Sequence, residues 1–475
     1  MNTAEDRLPL PQRYWAILTL VTGLVVSVLD SSIANIALPT IAREIGASPA
    51  QSIWVINAYQ LAIVVSLLPL ASLGDIFGYR RIYVIGLAVF SLAALVSALS
   101  HSLAMLAVGR ALQGLGAAGM TSVNIALVRF TYPRRQLGRG IAMTAVAVSI
   151  SSAAGPDRRF GDPRSRVVAM VVRDRRADRP RYPRLVAAVV AVHPALPASL
   201  MSALLSAVAS ALLIRGITGI GHGQGVPVIV IELSGAMLAG YLLVRRQAAL
   251  SLPLLPVDLF RRPVFALSVT TSVCTFVALG VVFVTLPFYF QYVLGRSQVE
   301  TGLLMTPWPA TVALVAPFAG RLADRYPAGI LCGIGLAVLT SGFVLLAALP
   351  AQPHPADIVW RMMICGFGFG FFGSPNNRAI ITSAPRERSG GAGAIQSTAR
   401  LLGQTVGAAL VALIFGFAGP SGGTGPTVAI LLAAGFAALA AVLTVLRMFN
   451  FVRFSRAPRR ASPAAREQQP RAAGK

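Results

Sequence analysis

Lysine is nearly absent from this 475-residue chain: Lys475 is its only one, and arginine supplies the other basic charges. Charged residues of all kinds make up only 12% of the sequence, against about a quarter in an ordinary soluble domain. That scarcity excludes a soluble protein of this length, which has no other way to cover its surface. Histidine and cysteine are also scarce. The four histidines are scattered, and Cys274, Cys332 and Cys365 have no metal-like spacing. A disulfide framework and a metal cluster are therefore not expected, and the cysteines read as small packing residues. No nucleophile, metal or phosphate-loop constellation is present, so the chain does not read as an enzyme and no cofactor is expected. A cleavable leader is not expected either, because the first apolar run is long and lacks an A-x-A-like exit.

What the chain has instead is apolar length. Hydrophobic residues make up 55%, and mean hydropathy is +0.71. Thirteen runs can cross a bilayer as helices. They are roughly Tyr14–Ile36, Trp54–Leu73, Ile82–Leu99, Leu103–Val128, Ile141–Gly155, Leu200–Ile220 and Val226–Val244. Then follow Val264–Leu286, Gly302–Phe318, Ile330–Leu349, Ile358–Ile381, Gly393–Phe417 and Val428–Leu446. Trp15, Trp54, Trp308 and Trp360 fall near run ends, where interfacial aromatics are expected.

The formal net charge of +25 does not point to nucleic acid, because the arginines sit between the apolar runs. Two segments concentrate it: Asp157–Leu185, net +6, and Arg447–Lys475, net +7. Arginine-bearing loops at Arg80–Arg81, Arg134–Arg139, Arg245–Arg246, Arg261–Arg262, Arg321–Arg325 and Arg386–Arg388 should be cytoplasmic, with the tail. Ile41–Gln51, Gly221–Gly225, Ser297–Thr301 and Pro350–Asp357 are poor in arginine and should face outward. Both termini are then cytoplasmic. The two sets alternate correctly only if the chain crosses once more between Asp157 and Ser199, which makes a fourteenth span.

Two loops share a pattern. Gly74-Asp75-Ile76-Phe77-Gly78-Tyr79-Arg80-Arg81 follows the second span, and Gly320-Arg321-Leu322-Ala323-Asp324-Arg325 occupies the matching place in the second half. An acid at a helix end beside arginines can latch neighbouring helices together. Recurrence in two halves fits the internal repeats of secondary transporters. These residues resemble the loop signature of the major facilitator superfamily. Leu29-Asp30-Ser31-Ser32-Ile33-Ala34-Asn35 in the first span is similar to the signature of its fourteen-span drug:proton antiporter branch, the EmrB/QacA type. The superfamily resemblance continues in Arg110-Ala111-Leu112-Gln113-Gly114, while the glycine-rich Gly366–Asn377, and Gln396, Arg400 and Gln404, look like that branch. The resemblance covers Tyr14–Gly155 and Leu200–Leu446. Ala71 and Ile76 depart from the loop signature, and the second removes a cytoplasmic charge.

The resemblance implies an all-α membrane protein with the major facilitator fold, two six-helix bundles and two linker helices. The division read from the sequence is residues 1–156, spans one to five; 157–199, an aberrant segment; 200–246, the linker helices; 247–447, the second bundle; and 448–475, a basic cytoplasmic tail. The expected activity is proton-coupled export of amphipathic small molecules from the bacterial inner membrane by alternating access. Its partners are the substrate, protons and the bilayer, with a periplasmic adaptor as a further candidate.

Intramembrane ionisable groups are functional candidates by default. Asp30 is expected to carry the proton, against a competing role in helix pairing. Arg110 either joins it in a relay, as the resemblance implies, or holds helices together. Gly74, Asp75, Gly78, Arg80, Arg81, Asp324 and Arg325 form the cytoplasmic gating motif. Asn57, Gln60, Gln113, Asn124, Asn376, Asn377, Gln396, Arg400 and Gln404 are candidates to line a polar cavity. Gln396, Arg400 and Gln404 share one helix face by their spacing. Glu232, alone in its span, reads as paired or lipid-facing more readily than as a cation contact.

One segment does not belong. Gly155-Pro156 is the remnant of an antiporter motif whose glycine pair is missing, because Asp157-Arg158-Arg159-Phe160 follows. Asp157–Leu185 has ten arginines and four aspartates and cannot sit in lipid. Leu185–Met201 is apolar but short, with Pro194 and Pro197 inside it. A shifted reading frame accounts for this. Read one base later, with synonymous codons chosen to suit, Asp157–Pro180 can encode TGGSAILALGWSRWLFAIDVPIGL. That string is similar to the family's sequence entering the sixth span. The alternatives to an active exporter are therefore an inactive frameshifted remnant, or a membrane sensor or scaffold without transport.

Overall fold

The computed structural model describes residues 10–131, 196–221, 224–249, 257–323, 325–384, 389–420 and 423–455. Every regular element among them is helical. The predicted fifth span, Gly155, Pro156 and the Asp157–Leu185 segment lie outside these residues.

The first half contains α1 (Leu10–Ile45), the short α2 (Pro49–Ser52), α3 (Trp54–Phe77), α4 (Tyr79–Ala98) and α5 (Leu103–Thr131). A hairpin follows, α6 (Leu196–Gly221) and α7 (Val226–Ala249). The second half contains α8 (Pro263–Phe288), a π turn (Tyr289–Val293), α9 (Gln298–Met305), α10 (Pro307–Leu322), α11 (Ala328–Ala347), α12 (Pro355–Ser383), α13 (Ser389–Ala418) and α14 (Thr424–Ser455). Among the described residues, eleven segments are long and apolar enough to cross a membrane. Twenty residues of α-helix span the ~30 Å of bilayer hydrocarbon, and α4 and α11 have that length. Large apolar side chains such as Ile85, Leu92, Ile231, Met237 and Leu314 stay exposed, as a lipid-facing surface requires.

The halves repeat each other in atomic detail. In α5, Gly114 lies so close to α3 that a Cβ there would come within 2.3 Å of the Tyr59 carbonyl. In α12, Gly366 stands 2.5 Å by the same measure from the Trp308 carbonyl of α10. Gly116 meets Phe90 and Gly86 of α4, and Gly368 meets Leu339 and Gly335 of α11. Small residues let transmembrane backbones approach, and here they set both helix triplets. The loops repeat too. Gly46 and Gly295 both take positive φ, 68° and 63°. Ser48 with Gln51, and Ser297 with Glu300, form reciprocal capping boxes.

Three sequence expectations change. Trp308 is not interfacial but buried at 1% exposure, against Phe283 and Phe343. Its place in the repeat, opposite the buried Tyr59, puts it in the core. Residues 196–201 do not belong to a separate short crossing; they open α6, whose second residue, Pro197, sits where a helix tolerates proline. The last helix runs on to Ser455, past the tail boundary read at residue 448, with Met448 packed over Gly329 and Arg447 buried.

Candidate functional site

Asp30 projects from the middle of α1 toward α5. Arg110 Nη1 donates to Asp30 Oδ2 at 2.5 Å and to Gln113 Oε1 at 3.0 Å. Gln113 Nε2 donates back to Asp30 Oδ1 at 3.2 Å, which closes a three-residue ring. One helical turn separates Arg110 from Gln113, so a single face of α5 presents both to the acid. Arg110 is 4% exposed and Gln113 1%, while the Asp30 side chain keeps 21% of its surface open. The acid is thus the accessible member of the cluster.

Tyr59 of α3 completes the cluster from below. The Arg110 guanidinium lies 4.4 Å from the centre of its ring, a cation–π contact in a desolvated setting. Its hydroxyl pairs with Ser27 Oγ of α1 at 3.0 Å. Ser97 of α4 donates to Gln113 Oε1 at 3.3 Å. Tyr59, Ser27 and Ser97 were not among the sequence candidates, because a lone hydroxyl or aromatic in an apolar span has no periodic signature.

The other candidates fall into separate places. Gln60 accepts from Thr405 Oγ1 at 3.2 Å, joining α3 to α13 across the halves. Arg400, on α13, lies within electrostatic reach of Tyr59. It is exposed, and Gln404 and Gln396 beside it are half-buried. Gln396 Nε2 donates to Asn377 Oδ1 at 2.8 Å, and its Oε1 accepts from Ser272 at 3.1 Å. Asn376 does not face this region. It is buried in the second half, donating to Ser272 Oγ at 2.7 Å and accepting from Arg447 Nη1 at 3.0 Å. Arg447 Nη1 also donates to Ser268 Oγ at 2.7 Å. Asn57 and Asn124 are buried in the first half, and both amide atoms of Asn57 lack a hydrogen-bond partner among the described residues. Glu232 pairs with Arg215 Nε at 3.0 Å, tying α6 to α7.

In the loop motif, Gly78 has φ 93°, a left-handed conformation that favours glycine, and it breaks the chain between α3 and α4. Gly74 lies against Val123 and Tyr79. Arg80, Arg81 and Arg325 are exposed. Asp75 lies in the last turn of α3, and Asp324 lies outside the described residues.

A second cluster joins the halves at the opposite end from Gly78. Pro39 interrupts the hydrogen-bond ladder of α1, and nearby carbonyls take partners from the π turn. Gln291 Nε2 donates to the Ile36 carbonyl at 2.8 Å, and Tyr292 Oη to the Pro39 carbonyl at 3.3 Å. Thr40 Oγ1 donates to Gln291 Oε1 at 3.1 Å. Arg43 Nη2 donates to the Gln291 carbonyl at 3.3 Å, and its guanidinium lies 4.1 Å from the Tyr292 ring centre. Apolar packing continues the closure, with Leu38, Ile53 and Ile56 in one core with Phe288, Phe290 and Met305.

Residues 20–156, 198–408 and 273–474 match the sequence model of the Major Facilitator Superfamily. The chain is 48% identical over 454 residues to the uncharacterized transporter YebQ of Escherichia coli K12, covering 91% of this chain and 95% of that one. It is 30% identical over 406 residues to the multidrug resistance protein Stp of Mycobacterium tuberculosis, covering 82% and 73%. Among solved structures, the POT family transporter PepTSo superposes with a TM-score of 0.66 at 15% identity, covering 94% of this chain and 99% of that one.

Proposed function

The chain belongs to the major facilitator superfamily, and on that premise we propose that it exports amphipathic small molecules across the bacterial inner membrane in exchange for protons. The Asp30–Arg110–Gln113 ring carries this reading. Ionised, Asp30 holds two donors of α5 against α1. Protonated, it no longer draws the guanidinium, and the tie between the helices weakens. An equilibrium between two arrangements of the bundles shifts only by the difference in their affinity for the proton, and this ring supplies such a difference. The acid is the exposed member, so a proton reaches it from the space between the halves. The likeness to a multidrug resistance protein supports the substrate class. The run from Leu29 to Asn35 in α1 supports the fourteen-span antiporter branch.

Alternating access follows from the two clusters. The halves are closed at the Gln291 end, which the arginine-poor loops assign to the outside. On that assignment the described state is closed toward the outside. Proton binding at Asp30 favours the return stroke.

A second reading is favoured by the Asp157–Leu185 segment: a remnant, correct in fold, that no longer transports. Everted vesicles carrying the chain with its sixth span restored should show proton-driven dye movement, and Asp30→Asn should abolish it while the protein stays in the membrane. Undiminished proton-driven movement in that variant sinks the role of Asp30. Transport by the chain as it stands, run in parallel, refutes the remnant reading.

A further inference from the structure

We infer that Arg400 makes the region between the halves a receptor for the acidic group of an amphipathic organic anion. The inference names the substrate class and takes from the export reading only that this region receives the substrate.

Arg400 lies about eleven residues past Ser389 in α13, so ~17 Å along the helix axis and near the middle of the bilayer. An arginine at that depth is costly unless it is paired or wetted. Arg400 is not paired: it makes no ion pair or hydrogen bond with the described residues. Its flanking residues Ala399 and Leu401 are buried, Leu401 in the core of the first half. Arg400 itself is exposed and within electrostatic reach of the buried Tyr59 across the interface. A side chain that is open to solvent yet faces Tyr59 lines an internal surface, not lipid.

The other deep arginines are committed. Arg110 is matched by Asp30, and Arg215 by Glu232. Arg447 is enclosed by Ser268 and Asn376. Because Asp30 and Arg110 neutralise each other, the uncompensated charge that the described residues bring to this region is the positive one of Arg400. Gln396 and Gln404, one turn to either side, offer amides to the polar atoms around an acidic group. A guanidinium binds a carboxylate, sulfonate or phenolate through charge-assisted hydrogen bonds, and can do so bidentately. The proton acts in one half and the anion's contact lies in the other, so the two ligands are coupled through the conformation and do not compete for one group.

Fluorescein and rhodamine 123 share a xanthene ring and differ in charge. Their binding to the purified full chain in neutral detergent is read by fluorescence anisotropy at pH 8 and low salt. Fluorescein should bind at least about tenfold more tightly than rhodamine 123. Arg400→Gln should weaken fluorescein about tenfold and leave rhodamine 123 unchanged. Arg400→Lys should retain most of the fluorescein affinity, and Arg400→Glu should reverse the preference. Nonspecific attraction to the other arginines is common to all four proteins and cancels. Circular dichroism of each variant checks the fold; should Arg400→Gln unfold, the Lys and Glu variants decide. Equal affinity for the two dyes, binding of neither, or fluorescein binding that ignores residue 400 overturns the inference. Undiminished proton-driven transport in Asp30→Asn alongside intact Arg400-dependent fluorescein binding sinks the role of Asp30 and leaves this inference standing.

Discussion

Arg110 and Asp30 differ in what each leaves behind when removed. Arg110 is almost wholly buried, and its Nε has no hydrogen-bond partner among the described residues, so its enclosure rests on Asp30, Gln113 and the Tyr59 ring. Arg110→Ala strands a carboxylate, and breaking a buried ion pair from one side costs about 3–5 kcal/mol. Asp30→Asn keeps an acceptor oxygen for Arg110, and Arg110→Gln together with Asp30→Asn removes both charges at once. The expected order of stability is wild type and the double variant above Arg110→Ala, measured by detergent-induced unfolding. An Arg110→Ala protein as stable as wild type would show that the pair bears no structural load. Sequence made this pair legible, because an acid and an arginine inside apolar runs are conspicuous. It did not separate cavity amides from core amides. Asn376 and Asn377 are neighbours in sequence, yet one is buried against Arg447 and the other is exposed beside Gln396. A helix turns 100° between them, and an apolar span has no polar face to show which way is inward.

Helix packing shows what duplication kept and what it changed. Counting four residues back from the paired glycines Gly114 and Gly366 sets Arg110 opposite Met362, and one residue back sets Gln113 opposite Cys365. Met362 and Cys365 are fully buried and apolar. The second half therefore reproduces the helix packing of the first, with buried apolar side chains where the first half has Arg110 and Gln113. The sequence showed the repeat in the two Gly–Asp–Arg loops. The matched capping boxes and glycine contacts were not legible, because Gln51 against Glu300, and Tyr59 against Trp308, share a role but not an identity. The packing makes a contrast testable within one helix. Gly368→Ala drives a methyl to within 2.5 Å of the Leu339 nitrogen, whereas Gly373 has open space around its Cβ position. Overpacking of this kind costs about 1–3 kcal/mol. Gly368→Ala should lower the detergent unfolding midpoint and Gly373→Ala should not; equal effects would contradict the close approach of α11 and α12. The shift in tail boundary has the same origin. Met448, Phe451 and Val452 continue the apolar pattern past Arg447, so the helix runs on, and the arginine is enclosed because its partners Ser268 and Asn376 are neutral donors and acceptors within the bundle.

At the scale of the whole molecule, orientation and conformational state are joined. In the proposed orientation the Gly46 and Gly295 loops face outside, and the structure closes the halves at that end through Gln291, Tyr292, Thr40 and Arg43. None of these four was a sequence candidate. A glutamine, a tyrosine and a threonine at span ends are ordinary interfacial residues until the fold sets them against the carbonyls near Pro39. If transport alternates, this closure must open in each cycle, so fixing it should stop transport without disturbing the fold. Thr40 and Gln291 side chains lie within hydrogen-bond distance, and the native Cys274, Cys332 and Cys365 are buried and free. Thr40→Cys with Gln291→Cys should therefore form an intramolecular cross-link with a short bifunctional thiol reagent. In the protein with its sixth span restored, cross-linking should abolish dye movement, and each single variant should keep most of it. Cysteines placed singly at Ser48 and Ser297, both exposed, should react with a membrane-impermeant maleimide added outside intact cells. Labelling of those two sites only after the cells are opened would invert the topology and with it the assignment of the closed end to the outside. A cross-linked protein that still moves dye would show that this end does not gate.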